Sequence, residues 1–288
     1  SLPPFNYFII NFLTFSLFFV FLFKKDDYEN YKFFLYGWSF GYGYFITNLY
    51  WISISLTFDE SFKFLIPISF LFVPAFLAIF YGLITYIFSF FNLKSLLSRF
   101  FLFSLLFGLV EFIRGYILTG FPWNLIVFSL SEQIEFIRIT SIIGTYGLNI
   151  FCISLFTVPA LFFLGENRND KVVCIFFLVF SVFVFTYGNL YEKNFLKTEK
   201  KRSEIVVRAV GSNINLDRFY KDVDQTKIIN DLVKISKPDL NKKTLFLWPE
   251  GIIPDVSQNE LVNYRYLFEN RFNENHLIGL GITNKVIN

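Results

Sequence analysis

The sequence predicts a polytopic α-helical membrane domain followed by the start of an α/β domain. Three observations carry that reading. Apolar spans fill residues 5 to 190, a charged stretch covers 191 to 204, and the pattern then becomes strand-like, one strand closing in Leu245-Phe246-Leu247-Trp248-Pro249-Glu250-Gly251. A membrane-embedded half joined to a polar half with a strand-terminal Glu points to an enzyme acting on something it collects from the bilayer.

Segments able to cross roughly 30 Å of hydrocarbon are predicted at 5–23, 33–56, 65–91, 100–119, 141–164 and 172–190. Phe supplies 44 of the 288 residues and apolar types 54%. With the polar residues gathered toward the C-terminal end, that composition describes an integral membrane protein with a soluble appendage. If the spans alternate, one side carries Lys24, Lys25, Lys32, Lys94, Arg99, Arg168 and Lys171, whereas the opposite loops carry Lys63 and Arg138. The positive-inside rule makes the first side cytoplasmic. The chain is therefore expected to leave its last span on the extracytoplasmic face. The net charge of +3 is scattered, so no nucleic-acid partner is expected.

The chain starts at Ser1 and holds no Met, from which an incomplete N-terminus with a further span ahead of Phe5 is expected. Cys152 and Cys174 fall inside apolar spans and read as small buried hydrophobes. Neither suits a disulfide, and no metal-ligand cluster or cofactor motif appears.

Residues 191–204, with Lys193, Lys197, Lys200, Lys201 and Arg202, read as a charged connector. The domain after it spans 205–288. Ile205 to Val210 is β-branched and strand-like. Val223, Ile228, Ile229, Leu232, Val233 and Ile235 fit one apolar helix face, limited by Pro238. Thr244–Trp248 and His276–Ile282 read as two more strands, with residues 257–275 helical between them. Strand, helix, strand, helix, strand implies a sheet covered by helices. Some 85 residues are few for such a domain, so a truncated C-terminus is expected as well.

Glu250 sits at the carboxyl end of a predicted strand, where α/β folds place reactive groups. Trp248 and Pro249 beside it would restrict water, which favours general-base chemistry near neutral pH. The alternative is an exposed turn Glu. Glu111 and Arg114, three apart in the fourth span, share a helix face and can pair. Ionisable residues at that depth contact a substrate or polar cavity, or else form a helix-end pair with Arg114 snorkelling outward. Phe121-Pro122-Trp123-Asn124 follows, with Trp123 either an interfacial anchor or a surface that meets a lipid headgroup. His276 has no carboxylate, Ser or Cys at useful spacing and reads as a surface or core residue rather than a catalytic one.

Several segments together resemble the apolipoprotein N-acyltransferases of the bacterial envelope. They are Pro4-Phe5-Asn6, Gly41-Tyr42-Gly43-Tyr44-Phe45, Asn48-Leu49-Tyr50-Trp51-Ile52, Glu111-Phe112-Ile113-Arg114-Gly115, Thr119-Gly120-Phe121-Pro122-Trp123-Asn124, Gly144-Thr145-Tyr146-Gly147-Leu148 and Trp248-Pro249-Glu250. The resemblance implies a multi-pass protein of the bacterial cytoplasmic (inner) membrane whose periplasmic domain is nitrilase-like, an αββα sandwich of the CN hydrolase type. It implies transfer of an acyl chain from a phospholipid donor to the N-terminal amine of an apolipoprotein's diacylglyceryl-cysteine, through a thioester on a Glu-Lys-Cys triad. Glu250 matches the catalytic Glu, the general base. The family's Lys and Cys fall past Asn288, so the segment by itself is expected to be inactive. Where many members carry a Lys-Trp pair after an Asn-Ile-Pro run, this chain has Asn213-Ile214-Asn215 and then Arg218-Phe219-Tyr220. Phe219 and Tyr220 stand as the aromatic substrate lining. A competing reading is a non-catalytic transporter or assembly factor with an outer soluble domain.

Overall fold

The structure is a computed structural model that describes residues 2, 6–25, 29–117, 120–198, 203–211, 224–253, 256–269 and 271–282. The chain divides into two compact units, Ser1–Thr198 and Glu199–Asn288.

The first unit is helical. Its main helices are α1 (Ile9–Phe23), α2 (Asn30–Asn48), α4 (Ile66–Ser89), α5 (Leu96–Arg114), α7 (Thr140–Leu164) and α8 (Arg168–Lys197), with short α3 (Tyr50–Ile54) and α6 (Ile134–Ile137) between them. Four segments among the described residues are long and apolar enough to cross a membrane: Glu60–Ser89, Leu96–Arg114, Thr140–Leu164 and Arg168–Lys197. Six spans were expected, and the first two fall short for different reasons. α1 is apolar but has 15 residues, about 22 Å of helix. α2 has 19 residues, but Asn, Lys, Tyr and Gly dilute its apolar content. α8 continues to Lys197, because Leu190, Phe195 and Leu196 prolong the helical run into the expected connector. Its start is set by a capping box, Asn167 and Asp170 each accepting the other's backbone N–H.

Between lipid-facing helices apolar burial supplies little drive, so close contact and internal hydrogen bonds hold them together. α2 meets α4 where Gly37 faces the backbone of Tyr81. A Cβ at Gly37 would collide with the Tyr81 carbonyl oxygen and Thr85 Oγ1. Thr85 Oγ1 donates across the same contact to the Phe33 carbonyl at 2.6 Å. Pro159 lacks the N–H that would continue the ladder of α7. Beside it Ser16 of α1 donates to the Phe156 carbonyl at 3.0 Å and accepts from Ala160 N–H at 3.3 Å. Gly144 (φ 72°) bends α7 near its start. Phenylalanines fill the centre: Phe18 stacks on Phe40 with centroids 4.0 Å apart, and Phe107 lies 5.1 Å from Tyr81.

The second unit is a three-stranded parallel sheet of order β1 (Val206–Ala209), β2 (Thr244–Leu247) and β3 (His276–Gly279). Val206 pairs with Thr244 and Thr244 with His276. Parallel neighbours need crossovers. α9 (Gln225–Ser236) and the single turn α10 (Tyr266–Glu269) lie on them. Asp224 caps α9 by accepting from Thr226 N–H at 2.9 Å. Ile228, Ile229, Leu232 and Val233 are buried with Phe246 in one core. Ile235, expected on that face, is exposed, and Ser236 takes the buried position instead. Val223 lies outside the described residues. Residues 257–275, expected as one helix, break into a 3-10 turn (Glu260–Tyr264) and α10. The alternation of side chains along strands puts Val207, Leu247 and Leu277 on the other face of the sheet, where all three are exposed.

Candidate functional site

In the second unit the three strands run parallel and end together at Ala209, Leu247 and Gly279. The backbone beyond β2 is held on both sides: Trp248 N–H donates to the Gly279 carbonyl and Val210 N–H to that of Leu247, both at 2.9 Å. Glu250 comes next, in a turn completed by Gly251 at φ 61°, a conformation favouring Gly. It is exposed. The segment after β3 passes close by, so that a Cβ on Gly281 would stand 3.0 Å from Glu250 Cγ. Glu250 is thus an exposed turn Glu, the alternative the sequence left open, and it lies beyond the carboxyl edge of a parallel sheet, where α/β folds place reactive groups.

Trp248 does not screen this carboxylate, contrary to the sequence expectation. It shares the parity of Phe246 and turns into the helix-covered core, where its Nε1 donates to Ser236 Oγ at 3.0 Å and its ring stacks on Phe268. His276 serves packing. Its Nδ1 accepts from Asn273 N–H at 3.1 Å, its Nε2 lies 3.0 Å from the Asp239 carbonyl, and its ring meets Phe246 edge-on.

The first unit has a second polar cluster. Glu111 and Arg114, one turn apart near the end of α5, are 0% and 1% exposed, with Arg114 Nη2 3.7 Å from Glu111 Oε1. Arg114 does not snorkel, because its guanidinium is held inward. Nη1 donates to the Phe121 carbonyl at 2.7 Å and Nη2 to that of Asn124 at 3.3 Å, between the rings of Phe45 and Phe121. Glu111 accepts from Tyr81 OH at 2.7 Å and from Asn149 Nδ2. Asn149 Oδ1 in turn accepts from Val127 N–H at 2.9 Å. Tyr44 OH donates to the Asn124 carbonyl at 3.2 Å. Sequence reasoning missed Tyr81 and Asn149. A lone Asn within the apolar α7 was the available signal, since a polar side chain at such depth needs a partner.

The chain re-enters this cluster sharply. Gly120 has φ 81°, and Phe121 N–H donates back to the Arg114 carbonyl at 3.1 Å. Trp123, at the apex, is 66% exposed, whereas the flanking Asn124 is buried. A cavity of about 370 Å³ on the Arg114 side of the turn is walled by Phe72, Phe76, Phe80, Arg114, Ile117 and Phe121. Phe219 and Tyr220 lie outside the described residues. Among the described residues no His, Cys, Asp and Glu group could hold a metal.

Long apolar helices with a buried ion pair, followed in the chain by an α/β unit with a carboxylate just past a strand end, define a membrane protein with an α/β unit. Residues 1–157 match the family described as apolipoprotein N-acyltransferase N-terminal domain, and the chain belongs to the apolipoprotein N-acyltransferase family. It is 32% identical over 275 residues to the apolipoprotein N-acyltransferase of Rhizobium etli, covering 89% of this chain and 50% of that protein. The enzymes of that name from Rhizobium leguminosarum bv. trifolii (29%, covering 89% and 50%) and Brucella melitensis (29%, covering 77% and 42%) are also similar. The chain spans about half the length of the curated relatives it matches. The four long apolar helices among the described residues suit the membrane setting of that family.

Proposed function

We infer that this protein transfers an acyl chain from a phospholipid to the N-terminal amine of the diacylglyceryl-cysteine of apolipoproteins, with Glu250 as general base. The observation that carries the reading is the position of Glu250: exposed beyond the carboxyl edge of a parallel sheet, beside Gly281, in a chain of this family. In the first step Glu250 takes the proton of a Cys thiol as sulfur attacks the phospholipid ester carbonyl. The proton then leaves on the alcohol of the departing lysophospholipid. In the second the amine attacks the thioester, its proton passes through Glu250, and the thiol is regenerated with the amide formed. A Lys beside the carbonyl oxygen would stabilise the oxyanions. We assign the Cys and Lys to the part of the relatives' length that residues 1–288 do not span.

The sheet supports a nitrilase-like sandwich. One face is covered by α9 and α10, and the other presents Val207, Leu247 and Leu277 uncovered, as one half of two facing sheets would. The basic loops support a cytoplasmic-membrane protein with this domain outside. We assign 1–190 to the transmembrane domain, 191–204 to the connector and 205–288 to the partial catalytic domain, with Phe219 and Tyr220 as substrate contacts. The test is Glu250→Gln in the full-length protein, assayed for conversion of a diacylglyceryl peptide to its N-acyl form. Loss of conversion supports the assignment. Undiminished conversion removes Glu250 from the triad, and no conversion even by the unaltered protein turns the reading to a transporter or assembly factor.

A further inference from the structure

We propose that Glu111 and Arg114 are positioning residues that clamp the Phe121–Asn124 turn, so that Trp123 is presented from a rigid backbone as the contact with the lipid donor. Four observations converge. Arg114 is nine-tenths and more buried, and its two terminal nitrogens go to the carbonyls on either side of Trp123, those of Phe121 and Asn124. The Asn124 carbonyl receives a further bond from Tyr44 of α2. Glu111 pairs with Arg114 and, through Asn149 to Val127 N–H, also holds the backbone that follows. Within this framework Trp123 alone of the four turn residues combines a large ring with 66% exposure. A planar fork spanning two carbonyls is a task Arg performs and Lys cannot, and locking a loop before binding lowers the entropy cost of the contact. The clamp acts on the acyltransfer reading given above, through affinity for the donor.

The test uses the full-length protein in detergent with phospholipid and a diacylglyceryl peptide, comparing Arg114→Lys, Arg114→Gln, Trp123→Ala and the combinations with Trp123→Ala. Each single change is expected to raise KM for phospholipid about tenfold with kcat within about twofold, the pattern of lost ground-state contact. Each combined variant is expected to stay near tenfold rather than reach a hundredfold, because the two residues act as one unit. A multiplicative combination, or Arg114→Lys retaining the unaltered KM, overturns the clamp and assigns Arg114 a direct contact with a lipid anion. Protein labelled with 5-fluorotryptophan supplies a second readout, the Trp123 resonance being identified by its loss in Trp123→Phe. Arg114→Lys, which keeps the buried charge beside Glu111 if Arg114→Gln fails to fold, should narrow the Trp123 fluorine line and leave that of Trp248 unchanged. An unchanged Trp123 line overturns the proposal. The fluorine arm needs no turnover, so an inactive unaltered protein would remove the acyltransfer reading while leaving the clamp to be decided.

Discussion

A carboxylate and a guanidinium illustrate how burial assigns work to single residues. Glu250 has an exposed side chain in a turn, and its removal should act on chemistry rather than folding. General-base assistance contributes about 10²–10⁴-fold; Glu250→Gln should slow acyl transfer by that order with the unfolding midpoint unmoved, as rates and thermal melts on the same preparation would show. Glu111 is the opposite case. Its carboxylate is wholly buried and satisfies Tyr81, Asn149 and Arg114. Glu111→Leu leaves the Arg114 charge buried without its partner, at a cost of about 3–5 kcal/mol, whereas Glu111→Gln keeps the side-chain volume and one acceptor oxygen for the Tyr81 or Asn149 donor and should cost less. Denaturation in detergent orders the two variants, and equal stability would contradict this account. The sequence made the Glu111–Arg114 pair visible through their spacing of three. That spacing does not reveal which way a helix turns its side chains, so inward clamp and outward snorkel were equally readable.

Helix packing is the next scale. α2 and α4 approach until Gly37 lies against the Tyr81 backbone. Gly37→Ala forces a Cβ into a carbonyl that cannot swing aside, which should cost about 1–3 kcal/mol. Gly43→Ala, where nothing lies within 4 Å, supplies the control: it should be neutral or gain about 0.5–1 kcal/mol from helix propensity. Thermal unfolding of the two single variants checks the pair, and similar melts would refute the close contact. The six apolar runs were legible because a length of apolar residues is a one-dimensional signal. Which runs become helices both long and apolar enough among the described residues was less so, since it rests on where α1 starts and on the Tyr, Gly and Asn content of α2. The three strands were legible as short apolar runs, β-branched in Ile205 to Val210. The fragmentation of residues 257–275 was not, because turns of four or five residues are set by their packing on Phe246 and Trp248.

For the molecule as a whole, the two units differ in what they can react with. The thiols of residues 1–288 are Cys152 and Cys174, both buried among apolar side chains of the helical unit. A reactive thiol needs access and a positive environment. The 1–288 polypeptide in membranes should therefore resist a polar maleimide until denatured, and should form no acyl thioester with phospholipid; labelling or thioester formation without denaturation would oppose the assignment of the nucleophile elsewhere. What the sequence by itself determined was the change from apolar spans to a β-branched, helix-punctuated region and the seat of Glu250 at a strand end, because periodicity and strand termini are local properties. What only the tertiary structure decided was that Trp248 turns away from Glu250 and that Arg114 turns inward to brace the turn of Trp123. Those outcomes depend on Ser236 and Phe268 for Trp248, and on Phe45, Phe121 and Asn124 for Arg114, partners that only folding brings within hydrogen-bonding and van der Waals reach.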